Sequence, residues 1–564
     1  LRHHQAGQLR ESERLYQRIL AQQPHHADAL HLLGVVAYQS GRAGVAVRLI
    51  RRAIDHRSDI AAYHANLGLA LAALGKLDEA LTCYQAALDL QPLYPEVLCN
   101  LGAALGRLGR PAEAVAAYQR SLSLRPEQPE THYNLATLLA AQNQLSDAVR
   151  CYREAIRLKP DYPEAVNNLG ISLVNLGRVE DAVACYRQAL ALRAGDPAVQ
   201  NNLGAALAEL GELKEAADCY RIVLSLDPTH AEAHYNLART LLAKGDMAAG
   251  WPAFEWRWRT QQLRAATRPF VQPQWRGEAG QAQTLLIHAE QGFGDTLQFC
   301  RFAPLAATRG LRVILEVPEP LVRLMRSLPG VAQVVARGER LPRFDLHCPM
   351  MSLPLAFGTT LQTIPTAVPY LCADPAQTAD WRARIASSGA GLLRVGLVWA
   401  GAPRPDSASL SAIDRRRSLA PEMLAPLFAV SGLQFFSLQK AGPRPPPHFP
   451  LVDFMAEMHD FADTSALVAQ LDLVISVDTA VAHLAAALGK PVWLLSRFDA
   501  CWRWHADRGD SPQLDNPRDC PWYPQLRVYR QPAPGDWLRV VGQVAEDLHQ
   551  ISSLSPPTLC QIKV

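Results

Sequence analysis

Two short stretches combine residue types that do chemistry with the spacing of a strand running into a helix. In "HAEQGFGDTLQF" (288–299) an apolar run, 284–289, leads to Gly292 and Gly294 flanking a phenylalanine, then Asp295, then an amphipathic helix pattern from Thr296. The glycines free the backbone for a tight turn, and the acid falls at a strand's end beside a helix start. A carboxylate there is stabilised as the anion. Asp295 thus reads as an N-cap or, in a cleft, as a general base worth about 10²–10⁴-fold on a hydroxyl. In "VISVDTAVAHLAAALGKPVWLL" (474–495), Asp478, Thr479 and Ala480 close a strand, a helix opens near Val481, and Gly489 stops it. The free N–H groups of that helix start, with the Thr479 hydroxyl, suit a diphosphate. His483 lies on the first turn, pointing to the same mouth or into the core.

Both stretches sit in a region of alternating strand-like and helix-like patterns. The strand-like runs are "TLLIHA", "LRVILEV", "VAQVVA" and "FDLHCP", then "LLRVGLVWA", "LQFFSLQK", "LDLVISV", "PVWLLS" and "LRVYRQ". Short β-rich runs separated by helices imply parallel sheets with helices on both faces. A helix-like "DPAQTADWRARIASSG" divides the two groups, so the reading is two doubly wound Rossmann-like lobes, 284–385 and 386–552. Ligands of such sheets bind beyond the carboxyl ends of the strands, where both stretches fall.

Upstream the chain repeats itself every 34 residues. Leu33-Gly34, Leu67-Gly68, Leu101-Gly102, Leu135-Ala136, Leu169-Gly170, Leu203-Gly204 and Leu237-Ala238 form one column, and a glycine column from Gly41 to Gly245 keeps step, with Asn143 in one place. Ala46, Ala80, Ala114, Ala148, Ala182 and Ala216 form another, as do Tyr84, Tyr118, Tyr152, Tyr186, Tyr220 and Phe254; prolines at 92, 126, 160 and 228 close units. Small residues let antiparallel helices approach, tyrosine fills the gap between neighbouring pairs, and proline stops the second helix. These columns resemble the tetratricopeptide repeat: seven units, with the second helix of an eighth (Tyr16, Pro24) at the start. The solenoid is assigned to 1–259 and a linker to 260–283; Trp251, Trp256 and Trp258 give the last helix an apolar face for docking.

One further column, Asn66, Asn100, Asn134, Asn168, Asn202 and Asn236, is not required by packing. Asparagine is a poor helix former, so its recurrence points to work for the amide. On the inner surface a ladder of amides can pair with the backbone of an extended peptide, or it can bridge neighbouring repeats. The ladder resembles that in the repeats of O-linked N-acetylglucosamine transferase.

Bulk properties exclude several classes. The net charge of +3 over 564 residues gives nucleic acid and acidic membranes little attraction. Eleven scattered cysteines without a CxxC pair suit free thiols in a reducing cytosol, and no apolar run reaches the ~20 residues of a membrane span. A cytoplasmic location is expected. The opening "LRHHQAGQL" reads as a truncated repeat.

The glycine–aspartate junction and "DTAVAHLAAALGKP" together resemble glycosyltransferase family nine, the heptosyltransferases, over roughly 284–550. The resemblance implies a GT-B fold. It also implies a nucleotide-diphosphate-sugar donor held by the C-terminal lobe and metal-independent transfer with inversion. No cofactor beyond the donor substrate is implied. Asp295 then matches the catalytic base, and Asp478, Thr479, Ala480 and His483 match the donor-binding Asp-Thr-Gly-x-x-His segment, with Ala480 in place of glycine. The family's phosphate-binding lysine is missing. Arg415, Arg416, Arg417 and Ser418 stand nearby instead, with Lys440 as a second cation at a strand end. Trp502, Trp504 and Trp522 lie in a segment without a family counterpart and either stack on a base or sugar or fill a lid.

The expected architecture is an α-solenoid followed by an α/β GT-B domain. The expected function is an inverting glycosyltransferase acting on a protein held along the asparagine ladder. A non-catalytic scaffold and an enzyme acting on a glycan are the alternatives, and self-association of the repeats is compatible with all three.

Overall fold

The computed structural model describes residues 2–280, 282–386, 392–404, 408–499, 501–504 and 519–552. The chain forms two compact units, residues 1–195 and 196–564. In the first, antiparallel helix pairs follow one another: Ala27–Gln39 with Ala43–His56, Ala61–Ala73 with Leu77–Leu90, Pro95–Arg107 with Pro111–Leu124, Pro129–Ala141 with Leu145–Leu158, and Pro163–Asn175 with Val179–Leu192. The short helix Arg2–Gln5 and the helix Leu9–Gln22 precede them. Gly41, Gly75, Gly109 and Gly177 close the turns within pairs at positive φ, and Asn143 takes the same left-handed conformation at φ 61°. Asparagine is among the few side chains that tolerate it. Where a proline closes the unit, the second helix ends two residues before it, as at Leu90, Leu124 and Leu158.

The tyrosine column works inside a pair as well as towards the next one, where Tyr152 meets Asn168. A Cβ on Gly68 would lie 2.5 Å from Tyr84 Cε1, so the ring rests on the bare backbone of its own partner helix. Gly102 and Tyr118 repeat the contact, as do Gly170 and Tyr186.

The second unit opens with two more pairs, Pro197–Glu209 with Leu213–Leu226 and Ala231–Ala243 with Met247–Phe254, and a 3₁₀ turn, Glu255–Arg259. Two sheets follow. Strands β1 (Thr284–His288), β2 (Arg312–Val317), β3 (Val331–Ala336) and β4 (Leu346–Pro349) form the first, parallel throughout, in the order β3-β2-β1-β4. The second contains β5 (Leu393–Val398), β6 (Leu433–Ser437), β7 (Leu451–Asp453), β8 (Leu473–Val477), β9 (Val492–Ser496), β10 (Asp519–Cys520) and β11 (Tyr523–Arg530). Its order is β10-β11-β9-β8-β5-β6-β7, parallel except for β10 against β11. The chain is therefore a helical repeat solenoid followed by parallel α/β sheets. The nine strand-like runs all became strands; β7 and β10, of three and two residues, are additional.

Strand order reverses beside β1 in the first sheet and between β5 and β8 in the second. At such points the loops leave in opposite directions and open a crevice. The stretch 260–283 is more than a tether: Gln274 bridges to His347 of β4, and Trp275 is buried with its Nε1 donating 2.9 Å to Glu278 O. Trp251 is buried against Phe299, Trp502 and Trp522 in edge-to-face contacts, and its Nε1 donates to Thr359 O at 3.1 Å. Among the described residues no helix is long and apolar enough to cross a membrane.

Candidate functional site

Asp295 lies just past the end of β1, on the first turn of the helix Phe293–Phe299. Its Oδ2 accepts the Gly292 N–H at 3.2 Å, the bond of a residue stapling a helix start. Its Oδ1 accepts from Arg503 Nη2, an ion pair in which the side chains are only 19% and 11% exposed. Burial is the largest single influence and works against the Arg503 charge, yet Asp295, Cys501 and Asp478 together outweigh it and the guanidinium is held above its ordinary pKa. Arg503 also donates to Cys501 Sγ at 3.0 Å and lies 4.4 Å from the Trp502 ring centroid. The tryptophans on either side of Arg503 stand out in the sequence, whereas the arginine does not. Its partner is 208 positions away, so no local pattern marks it.

The glycines differ from expectation. Gly292 has φ −73°, open to any residue, and Gly294 is helical. A Cβ on Gly294 would stand 3.0 Å from His483 Cδ2 and 3.7 Å from Ala480 Cα. Close approach, rather than a turn, is what requires glycine there. It brings the helix carrying Asp295 against the helix Ala480–Ala487.

That second helix follows β8. Thr479 occupies the N-cap position with no side-chain cap, and its Oγ1 pairs with Ser476 Oγ at 3.0 Å. The first helical N–H groups, beginning at Ala480, are thus left for another acceptor. His483 is buried, bonded through Nδ1 to Tyr523 OH at 3.1 Å and stacked on Trp504 at 4.8 Å. Burial, helped by Arg503 and Arg301, holds its imidazole well below the ordinary pKa, so the ring is neutral. Of its two expected orientations, the core is the one observed.

The cations separate according to helix face. Arg417 donates to Asp478 O at 3.0 Å and pairs with Asp414 at 2.8 Å, under Gly401, whose backbone leaves no room for a Cβ above the guanidinium. Burial lowers its pKa. Ser418 fixes the same loop, donating to Asp414 O at 2.7 Å and accepting the Gly401 N–H at 3.1 Å. Arg416, one residue away, pairs instead with Glu209 and Asp499, each at 3.3 Å. Lys440 donates to Met458 O. Gln439 before it, absent from the sequence reading, accepts the Trp399 and Ala400 N–H groups at 3.0 and 2.9 Å and shapes the loop after β5. Arg497, also missed, follows β9 and pairs with Asp499 at 3.3 Å. Buried Nε atoms of Arg416, Arg417 and Arg503, and Nη1 of Arg497, have no hydrogen-bond partner among the described residues.

The asparagine ladder is half-buried and has a regular partner. Asn66 bonds His31 Nε2 at 2.8 Å, Asn134 reaches the Cys99 sulfur, and Asn168 donates to Tyr133 OH at 3.2 Å. In the second unit Asn236 donates to Asn201 Oδ1 at 3.2 Å. Each partner stands 35 residues earlier, on the first helix of the preceding repeat. An amide carries two N–H donors and an acceptor oxygen; the Asn168 oxygen also accepts from Asn167 Nδ2 at 3.3 Å, and donor capacity remains for a ligand. Asn100 and Asn202 continue the column, half-buried likewise.

Known proteins resemble this chain in both parts. The family models for the cilia and flagella-associated protein 70 C-terminal domain and for anaphase-promoting complex, cyclosome, subunit 3 match residues 60–256 and 5–87. The model for glycosyltransferase family 9 (heptosyltransferase) matches residues 448–495, the span that includes Asp478 to His483. Protein FlbA of Caulobacter vibrioides is 27% identical over 351 residues, 56% of this chain and 54% of its own. The chain thus spans about half the length of that curated relative. Among solved structures, MamA protein matches at 22% identity and TM-score 0.29, over 30% of this chain and 94% of its own. YrrB, described as a TPR protein with an unusual peptide-binding site, matches at 22% identity and TM-score 0.31, over 33% and 95%. The chain joins tetratricopeptide repeats to an α/β region similar, over that span, to glycosyltransferase family nine.

Proposed function

We propose that this protein is an inverting, metal-independent glycosyltransferase of GT-B architecture. In this reading residues 284–385 form the acceptor-side lobe, residues 386–552 hold a nucleotide-diphosphate-sugar, and the repeats present a protein acceptor. The observation that carries it is the contact of Gly294 with His483, which sets the Asp295 helix beside the uncapped helix start at Ala480. Asp295 takes the proton of the acceptor hydroxyl as its oxygen attacks the anomeric carbon from the face opposite the diphosphate. The sugar–diphosphate bond breaks and its electron pair leaves with the diphosphate. That charge is met by the free N–H groups at Ala480 and by the Arg417 guanidinium. A single displacement of this kind inverts the anomeric centre.

The test is release of nucleoside diphosphate from a panel of nucleotide sugars, with and without cytosolic protein of the host, beside Asp295→Ala. Release that requires both Asp295 and added protein supports the reading. A non-catalytic scaffold is favoured by one observation, the engagement of Asp295 by Arg503. Nucleotide binding without release from any donor would select the scaffold.

A further inference from the structure

Arg503 stands between the two halves of the site. It is paired with Asp295, the acceptor-side acid, and its charge is also supported, more weakly, by Asp478 of the donor segment. It in turn helps keep His483 neutral. Among the described residues its Nε is buried without a partner, and the one acceptor of Nη1 is the weak Cys501 sulfur. A buried guanidinium with unused donors can meet a diphosphate with the same bidentate geometry it offers a carboxylate.

We propose that Arg503 is a ligand of the donor's diphosphate and that Asp295 and the diphosphate compete for it. Without donor, Arg503 occupies Asp295 Oδ1. With donor bound, the guanidinium turns to the diphosphate and Asp295 is released to accept a hydroxyl proton. In the transfer step the proton passes from the acceptor oxygen to Asp295, and the new carbon–oxygen bond forms as the sugar–diphosphate bond breaks. The departing electron pair then rests on an oxygen held by Arg503. The base is thus freed only when a leaving group is in place, which protects the empty site from idle proton transfer. This rests on the transferase reading above and assigns a specific residue to its donor side.

The experiment is a thermodynamic cycle on the full chain, read as binding rather than turnover. Isothermal titration with UDP, ADP, GDP and CDP is run on wild type, Asp295→Asn, Arg503→Gln and the double variant, each checked for native circular dichroism. For whichever nucleotide binds, Asp295→Asn is expected to tighten affinity about 5-fold or more, because the competitor is neutralised. Arg503→Gln is expected to weaken it about 10-fold or more. The double variant should match Arg503→Gln alone, since without the arginine there is nothing to compete for. Wild-type binding with an Asp295→Asn effect that persists in the Arg503→Gln background overturns the competition and leaves the transferase reading standing. Should Arg503→Gln not fold, Arg503→Lys replaces it, and a wild-type affinity unchanged by Asp295→Asn overturns the proposal by itself. No binding of any of the four to wild type overturns the transferase reading and this proposal with it.

Discussion

Gly294 lies against His483 so closely that a Cβ would stand 3.0 Å from the imidazole Cδ2. His483 cannot step aside, because it is bonded to Tyr523 and stacked on Trp504. One hydrogen atom in place of a methyl thus sets the spacing between the helix of Asp295 and the helix that begins at Ala480.

Gly294→Ala is expected to cost little stability while impairing the site. Alanine gains about 1 kcal/mol in a helix. Overpacking costs about 1–3 kcal/mol. The net loss is at most about 2 kcal/mol in the fold, yet the displaced helix carries Asp295 with it. A loss within that bound in urea denaturation, with diphosphate release reduced about 10-fold or more, is the expected pair. Full release activity would show that the spacing is not used.

His288, at the end of β1, gives a pH signature. Burial first, then His347, Arg268, Arg257 and Arg337, holds its pKa down to about 3 from 6.5. Below 6.5 the unfolded chain gains a proton that the folded one refuses. Stability from this group is therefore complete above 6.5 and is lost as pH falls toward about 3, by up to about 1.4 kcal/mol per pH unit. His288→Phe suits a neighbourhood that already contains Phe270, 5.4 Å away, and His347. Between about pH 7.5 and about pH 5 this variant should lose about 2 kcal/mol less than wild type in urea denaturation. Equal losses would mean that His288 protonates in place.

How much of this was legible follows from the range of each interaction. The repeat columns recur at a fixed step because each pair meets the same neighbours, so a 34-residue period exposes them. The strands announced themselves as apolar runs, whereas β7 and β10 are too short to show a pattern. Asp295 and Asp478 were legible as acids at strand ends. The partner of Asp295 was not. Arg503 and Gln439 acquire roles only when the fold brings distant loops together. Arg416 and Arg417 look alike in sequence, but adjacent helix positions point about 100° apart, and only Arg417 reaches Asp478.

Arg257 and Glu290 form a buried pair, 0% and 4% exposed, that ties the end of the repeats to the loop before Asp295. Glu290 also accepts the Met351 N–H at 3.0 Å, and Arg257 bonds Ser352 Oγ at 2.7 Å. Arg257→Leu leaves a buried carboxylate without its cation and should cost about 3–5 kcal/mol. Glu290→Gln keeps an acceptor for both partners and leaves Arg257 its Glu255 contact, so about 1–3 kcal/mol is expected. Urea denaturation ranks them; Arg257→Leu no worse than Glu290→Gln would contradict the pair's structural role.

The asparagine ladder admits two uses, and magnitudes separate them. Losing the Asn168 bond to Tyr133 costs about 1 kcal/mol. Alanine returns up to about 0.7 kcal/mol in helix propensity. Asn134→Ala with Asn168→Ala should therefore lower the stability of the repeats by less than about 1 kcal/mol. If the remaining amide groups hold a peptide backbone, the same pair should raise KM for a protein acceptor about 10-fold, while a small sugar acceptor is unaffected. Unchanged kinetics with the protein acceptor would remove the groove. A stability loss above about 2 kcal/mol would then assign the column to bridging neighbouring repeats, since only cooperation along the ladder can exceed the sum of its single bonds.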